Sequence, residues 1–266
     1  MSIINSYDIP GESSPSTHLK LKAAERFPEA VLVTFQQEIL KRLLKINDAV
    51  QICHTCDDVD SAANEKNTAK RAVAVYKASF RGCTFAFYRS PSGAASSAAV
   101  LENVIAMGGR KFLFFGPCGI LSDGINTDYI IPTAAYRAEL ESSNRLYSAA
   151  NMKADDYIKI YTAERLSRLF DEIEAPYSLG KTWTLGKPCP DALTGIAARI
   201  AEGCIAVETE CASIMETGQR HFVDIYQFLC TQHIPFDGET APSLPCAPQK
   251  MINRLVLASL EIIRRL

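Results

Sequence analysis

Two glutamates at the end of an apolar run are the residues of this sequence best suited to binding a sugar. The segment CIAVETE places Glu208 and Glu210 two positions apart, so both side chains project to one face if the strand stays extended. A carboxylate can accept hydrogen bonds from both hydroxyls of a vicinal diol. The pair therefore predicts a ribose-binding site. The alternative is that one glutamate caps the next helix or pairs with an arginine.

A second candidate site lies in TFAFYRSPSGAASSAAV, which reads as a strand, a loop of small residues and a helix start. Gly93 lets backbone N–H groups approach a ligand, and a helix N-terminus favours negative charge. Arg89, Ser90 and Ser92 could add donors. The segment has neither the lysine of a P-loop nor the glycine spacing of a dinucleotide fingerprint. It predicts an anion site, with a tight strand-to-helix turn capped by serine as the alternative.

A third loop follows the buried run KFLFFG and carries several glycines, with Gly116 first among them. Glycines at this place let the backbone line a pocket wall, and the alternative is a sharp turn.

Short apolar or alternating runs predict the strands that must position these residues. The hairpin candidate surrounds Arg81 and Gly82, and Pro132 places its strand at an edge or a bulge. The predicted strands are AVLVTF, the two halves of KRAVAVYKASFRGCTFAFYR, KFLFFG, DYIIPTAAYR, SLGKTWTL, CIAVETE and VDIYQFLCT.

Helical spacing of apolar residues predicts the intervening elements. In the second of them serine can cap the start, and Gly108 and Gly109 end it. The predicted helices are QQEILKRLLKI, SSAAVLENVIAMGG, ADDYIKIYTAERLSRLFDEIEA, CPDALTGIAARIAEG, CASIMETGQRH and KMINRLVLASLEIIRRL. Strands alternating with helices predict a layered α/β domain with a largely parallel sheet, whose ligands lie at the carboxyl ends of the strands. Residues 1–26 are expected to form an arm, and residues 27–266 a single domain.

Composition excludes several classes of protein. The 266 residues are 47% hydrophobic and 22% charged, with 28 basic and 30 acidic side chains. This balance leaves no basic surface for nucleic acid or for a membrane. The N-terminus has no signal-peptide pattern, no apolar run reaches the length of a membrane helix, and the cysteines favour a reduced compartment. Cys53 and Cys56 form one CxxC without a partner pair, so no metal site is expected. We expect a cytoplasmic protein.

The order of four segments resembles that of the nucleoside phosphorylase/nucleosidase superfamily, and more narrowly its purine- or uridine-phosphorylase-like proteins. These segments are LENVIAMGGRKFLFFGPCGIL, DYIIPTAAYRAE, EGCIAVETECASIM and DIYQFL. The resemblance runs from about Phe27 to the C-terminus. It implies a three-layer α/β/α fold with a mixed, largely parallel central sheet, assembled as a homo-oligomer, either a dimer or a hexamer. It also implies cleavage of an N-glycosidic bond by phosphate or water through a ribosyl-cation-like transition state, without metal or organic cofactor.

Carried over residue by residue, the resemblance retains the sugar site and alters the phosphate site. Glu208, Thr209 and Glu210 match the Glu-Met-Glu element that holds the ribose hydroxyls, with threonine in place of methionine. The arginine and hydroxyl of the phosphate loop are replaced around Gly116, and the early Gly-Asp-Pro-x-Arg element has no counterpart. Phosphate as co-substrate would then depend on Arg89 and its loop, or on an arginine of a neighbouring subunit.

The leaving-group side is altered as well. The family aspartate that protonates the departing base falls on Gln232 or His233. His233 has a pKa suited to a general acid, Gln232 could only hydrogen-bond the base, and a loop histidine without a role is the third interpretation. Trp183, with Thr184 beside it, could contact the base, although core packing explains the tryptophan equally well.

Two hypotheses follow for the function. The first is an enzyme, a pentosyltransferase or nucleosidase that cleaves the N-glycosidic bond of a nucleoside or a related compound. The second is a family member that kept the fold and lost the chemistry, acting as a nucleoside- or base-binding or assembly protein. The altered phosphate and leaving-group positions favour the second hypothesis, and the two glutamates favour the first.

Overall fold

Alternating apolar runs and amphipathic segments build one large sheet covered by helices. The computed structural model describes residues 26–46, 49–55, 72–122, 124–136, 157–185, 192–231 and 249–266. Within these ranges the helices are α1 (Gln37–Leu43), α2 (Ala94–Met107), α3 (Ala163–Glu172), α4 (Ala192–Ala201), α5 (Cys211–Arg220) and α6 (Gln249–Ile263). The strands are β1 (Ala30–Thr34), β2 (Val50–His54), β3 (Ala74–Phe80), β4 (Cys83–Arg89), β5 (Lys111–Pro117), β6 (Gly119–Ile120), β7 (Tyr129–Tyr136), β8 (Tyr157–Lys159), β9 (Tyr177–Thr184), β10 (Cys204–Glu208) and β11 (Asp224–Cys230).

The sheet is mixed, with two parallel blocks at its centre. Its order is β2-β3-β4-β1-β5-β11-β7-β9-β10-β6, and β8 pairs with β7. Strands β4, β1, β5 and β11 run parallel, as do β7, β9 and β10. The two blocks meet at the antiparallel pair β11–β7. The apolar strand β5 is buried because it pairs with β1 on one side and β11 on the other.

Helices cover both faces of this sheet, which makes three layers. Ile225 lies against Gly218 of α5, whereas Phe228 packs against Phe170 of α3 at 5.3 Å between ring centroids. Side chains an odd number of positions apart on a strand point to opposite faces, so α5 and α3 lie on opposite sides of β11. Helix α2 packs on α5, and α1 packs on α6. The predicted three-layer α/β class is confirmed.

The predicted hairpin at Arg81 and Gly82 is confirmed. Both residues have positive φ, 48° and 82°, which is the backbone of the two-residue type I′ turn. The strands it joins, β3 and β4, pair antiparallel from Phe80 and Cys83 outward.

Two strands differ from the sequence prediction. The helix predicted over ADDYIKIYTAERLSRLFDEIEA begins only at Ala163, because Tyr157–Lys159 pair with β7 as a short strand. The Thr162 hydroxyl donates to the carbonyl of Ile225 and so fixes the turn that joins β8 to α3. Strand β2 was not predicted at all, since Val50–His54 is largely solvent-exposed and has little apolar patterning.

Strand β7 is interior to the sheet, so the edge position suggested by Pro132 is wrong and the bulge is confirmed. The register with β9 shifts between Pro132 and Ala134. On its other side β7 pairs first with β11, through Tyr129 and Ile130, and then with β8 from Ala134 onward. Pro132 lies between these two neighbours, at the bulge in the pairing with β9.

Residues 1–25 of the predicted arm lie outside the described residues. Among the helices of the described ranges, none is both long and apolar enough to cross a membrane.

The close approach of α5 to β11 predicts a cost for any side chain at Gly218. A Cβ there would lie 2.2 Å from Cγ1 of Ile225. We expect Gly218→Ala to lower the free energy of unfolding in urea by about 1–3 kcal/mol, despite the gain of about 1 kcal/mol in helix propensity. The control is Gly124→Ala, since a Cβ at Gly124 meets only the Ser122 hydroxyl at 3.9 Å. Equal stability of the two variants would contradict this packing.

Candidate functional site

The two glutamates lie at the junction between β10 and α5. Strand β10 ends at Glu208, and Glu210 is the N-cap of α5 with φ −131° and ψ −27°. The chain has therefore left the extended conformation before Glu210. The condition for projecting both carboxyls to one face, a strand that stays extended, is not met, because the backbone turns into the helix between them.

Glu208 caps the start of α5. Its Oε2 accepts hydrogen bonds from the backbone N–H groups of Glu210 at 2.7 Å and Cys211 at 2.5 Å. Its Oε1 accepts from the Thr184 hydroxyl at 2.6 Å, and that hydroxyl in turn accepts from the N–H of Ala212 at 3.0 Å. The first N–H groups of a helix have no partner within the helix. Both carboxyl oxygens of Glu208 thus serve the protein itself, as the capping alternative predicts.

Glu210 has a different environment. Its Oε1 accepts from the backbone N–H of Gly93 at 2.7 Å and also from the Thr209 hydroxyl. The residue is 7% exposed. The Thr209 backbone N–H also acts on this carboxyl as a donor, and both hydrogen bonds just described end on Oε1. Of the two glutamates, Glu210 is the one with an oxygen left to accept a hydroxyl from a ligand.

The contact with Gly93 joins two segments that the sequence analysis treated separately. Gly93 is the N-cap of α2, with a φ of 98° that favours glycine. Helix α2 packs along α5, and the Ser213 hydroxyl donates to the carbonyl of Ala94 at 3.0 Å. The N-termini of the two helices therefore meet at one point. Small residues at both helix starts permit this approach, and they were the only signal of it in the sequence.

The predicted serine cap of α2 is wrong. No side chain of the turn caps this helix, because its N-cap is Gly93, which has no side chain. The Glu210 carboxylate, from another element, accepts from the Gly93 N–H. The Ser90 hydroxyl is fully buried, donates to the carbonyl of Pro91 at 3.1 Å, and pairs with the Ser97 hydroxyl at 2.9 Å.

The other residues predicted for the anion site are dispersed. Ser92 and Arg89 are exposed. Arg89 is the last residue of β4, and Ser90 follows it outside the strand. Gly116 is buried beneath Phe35, where a Cβ would come within 2.6 Å of the phenyl ring. The structure thus brings Gly93 to Glu210 and leaves Arg89 and Ser92 at the surface.

The residues predicted to contact the base are either buried in the protein or outside the described residues. Trp183 is 2% exposed and packs in a small cluster with Leu121, Leu185, Cys204 and Val207, which supports the core-packing alternative. Thr184 is bonded to Glu208, as described above. Gln232 and His233 lie outside the described residues, and their predicted role in protonating the base stays a prediction.

The buried thiol of Cys118, predicted only as a core residue, lies near Glu208 and donates to the carbonyl of Cys230 at 3.6 Å. The ladder pairs Ala206 with Ile120 and Val207 with Gly119, so the next step places Cys118 beside Glu208. Burial, with a smaller contribution from the charge of Glu208, raises the pKa of the Cys118 thiol and keeps it neutral. Cys53 lies elsewhere, with its sulfur 3.6 Å from that of Met107. In the described ranges no three His, Cys, Asp or Glu side chains are grouped to hold a metal.

Burial changes the protonation of the two glutamates. Desolvation, followed by the negative charge of Glu210, raises the pKa of Glu208 to about 8, against the opposing effect of its three hydrogen bonds. Burial also raises the pKa of Glu210, and its bonds from Gly93 and Thr209 oppose the rise. At neutral pH the pair therefore carries less than two full negative charges.

This protonation predicts a pH-dependent stability. Between its unfolded pKa, about 4.3, and about 8, folded Glu208 holds a proton that the unfolded chain has lost. The free energy of unfolding therefore falls as pH rises through this window, by up to about 1.4 kcal/mol per pH unit. We expect Glu208→Gln, which cannot ionise, to flatten this slope in urea unfolding. Glu216→Gln, a change at a half-exposed position of α5, is the control. An unchanged slope in Glu208→Gln would contradict the assignment.

Comparison with known proteins identifies the family. A search of curated proteins found no match to the chain. A family model described as "Phosphorylase superfamily" matches residues 48–247, which is 200 of the 266 residues and runs from the approach to β2 past the end of β11. The match includes Gly93 and both glutamates, and it confirms the resemblance seen in the sequence. The chain belongs to the phosphorylase superfamily.

Proposed function

We propose that this protein cleaves the N-glycosidic bond of a nucleoside or a related compound, with Glu210 as the residue that binds the sugar. One observation carries the proposal. Glu210 is a buried carboxyl whose Oε1 accepts both from the Gly93 N–H at 2.7 Å and from the Thr209 hydroxyl, which leaves Oε2 as the oxygen with capacity for a further donor. A sugar hydroxyl is the kind of donor that such an oxygen accepts.

The proposed chemistry needs a negative charge beside the sugar. As the bond from C1′ to the base nitrogen breaks, positive charge develops on the sugar ring. A carboxylate held in place before the reaction stabilises that charge without reorganising, and its effect is larger where water is excluded. Gly93 and Thr209 hold Glu210 for this purpose, and Glu208 acts through the N–H of Glu210.

The remaining roles stay with the residues that the sequence suggested. His233 is the proposed general acid for the departing base, with Gln232 as the alternative hydrogen-bonding group. The acceptor of the sugar is either water or phosphate, the latter bound by the loop of Arg89, Ser90, Ser92 and Gly93 together with Gly116. Trp183 and Thr184 remain the proposed contacts to the base. Both side chains are buried, so a contact with the base would be made from inside the protein.

A second candidate function is binding without catalysis. It is favoured by the saturation of polar groups at the site, since both oxygens of Glu208 and the hydroxyl of Ser90 already have partners within the protein. A nucleoside-binding protein or an assembly partner would not need these groups for chemistry.

The enzyme hypothesis predicts that the protein releases free base from one or more nucleosides of a purine and pyrimidine panel. Chromatography measures the free base. Glu210→Gln should lower kcat/KM by about 10²–10³, because an amide cannot balance the developing charge. Glu216→Gln removes a half-exposed carboxylate of α5 and should leave turnover unchanged.

Normal turnover in Glu210→Gln would overturn the site assignment. Nucleoside binding in a thermal-shift screen, without release of base under any condition, would favour the binding protein instead.

A further inference from the structure

We infer that Thr184 is a positioning residue for the sugar site, because its buried hydroxyl holds the carboxyl of Glu208, and Glu208 in turn holds the backbone of Glu210. The inference rests on the proposed function and adds to it a group that acts on the reaction through other residues. Because the hydroxyl is committed in this way, a contact between Thr184 and the base would be left to its methyl group.

Thr184 and Glu208 are neighbours at the ends of two parallel strands. Thr184 is the last residue of β9 and pairs in register with Glu208, the last residue of β10. The N–H of Leu185 donates to the carbonyl of Glu208 at 2.7 Å and extends the contact between the strands by one residue. The branched Cβ of a threonine restricts rotation about χ1. The sheet therefore fixes the position of the hydroxyl beside the Glu208 carboxyl.

The hydroxyl of Thr184 makes two hydrogen bonds with different partners. A backbone N–H can only donate, so the N–H of Ala212 donates to Oγ1 of Thr184, at 3.0 Å. The hydroxyl hydrogen is then directed to Oε1 of Glu208, at 2.6 Å. A hydroxyl can accept two hydrogen bonds as well as donate one, so the same two oxygens stay bonded when Glu208 carries a proton and becomes the donor. The contact is thus retained in both protonation states of Glu208.

Together, Thr184 and Glu208 bind three successive backbone N–H groups at the start of α5. Oε2 of Glu208 accepts from Glu210 at 2.7 Å and from Cys211 at 2.5 Å, and Oγ1 of Thr184 accepts from Ala212. The first N–H groups of a helix have no partner within the helix. Thr184 is 0% exposed and Glu208 is 2% exposed, so bulk water does not compete for these bonds. The hydroxyl is therefore part of the structure that fixes where α5 begins.

The position of the Glu210 carboxyl depends on this helix start. Its backbone is held from β10 through Glu208, and its Oε1 is held from α2 through the Gly93 N–H at 2.7 Å. Without the Thr184 hydroxyl, both Oε1 of Glu208 and the N–H of Ala212 lose a partner, and the first turn of α5 can shift. A misplacement of about 1 Å can lower a reaction rate by about 10²-fold. Thr184 therefore acts on kcat through Glu208 and Glu210.

Two pairs of proteins isolate the hydroxyl. Thr184→Val, compared with the wild type, replaces the hydroxyl by a methyl group, and Thr184→Ala, compared with Thr184→Ser, removes it without filling its place. The second pair keeps the test decisive if the added methyl group of Thr184→Val prevents folding. The matched control is Thr182→Val, because Thr182 is equally buried on β9 and its hydroxyl donates to the carbonyl of Ala206 at 3.3 Å.

For each nucleoside that the wild type cleaves, we expect loss of the Thr184 hydroxyl to lower kcat by about 10–100-fold in both comparisons. KM should change by less than about threefold, because the hydroxyl acts on the placement of a charge that stabilises the transition state. Thr184→Ser should retain most of the wild-type kcat, and Thr182→Val should equal the wild type. All proteins are assayed well below their measured Tm, so that unfolding does not lower the rate.

Each outcome separates the inference from the proposed function. Equal kcat values for Thr184→Val and Thr182→Val, or for Thr184→Ala and Thr184→Ser, would overturn the inference and leave the proposed function standing. A loss in Thr184→Val that appears only in KM, or whose size differs between purine and pyrimidine nucleosides, would overturn it in favour of a contact between the hydroxyl and the base. No release of base by the wild type would overturn the proposed function, and the inference with it.

Discussion

The hydrogen bond between the Gly93 N–H and the Glu210 carboxylate is the interaction on which the site depends. It joins the N-terminus of α2 to that of α5, two helices whose preceding strands, β4 and β10, lie far apart in the sheet. The bond satisfies a helix N–H that would otherwise lack a partner. It also places the Glu210 carboxyl at the N-termini of two helices, whose dipoles oppose the rise that burial causes in its pKa.

The two glutamates have different roles, Glu208 in the structure of the site and Glu210 in the proposed chemistry. Glu208 holds the first turn of α5 and is tied to β9 through Thr184, so its carboxyl is fully used by the protein. This arrangement fixes the position of Glu210, whose Oε2 is the oxygen proposed to contact a ligand. Burial raises the pKa of both carboxyls, and the charge of Glu210 adds to the rise at Glu208.

Much of the fold could be predicted from the sequence because it follows local patterns. The continuous apolar run of β5 and the Arg81–Gly82 turn specify their conformation without help from distant residues. Strands β2 and β8 could not be predicted, because their few residues become strands only by pairing with β3 and β7. At the site, the sequence indicated Glu208, Glu210 and Gly93, but no periodicity reveals that a carboxylate caps a helix more than a hundred positions away.

The central claim is that Glu210 stabilises positive charge on a bound sugar. The most direct measurement is calorimetric titration with a protonated pyrrolidine analogue of the sugar and with its uncharged cyclopentane counterpart, on the wild type and on Glu210→Gln. The account predicts that the wild type binds the charged analogue more tightly than the neutral one, and that Glu210→Gln loses this preference. An equal preference in both proteins would contradict it.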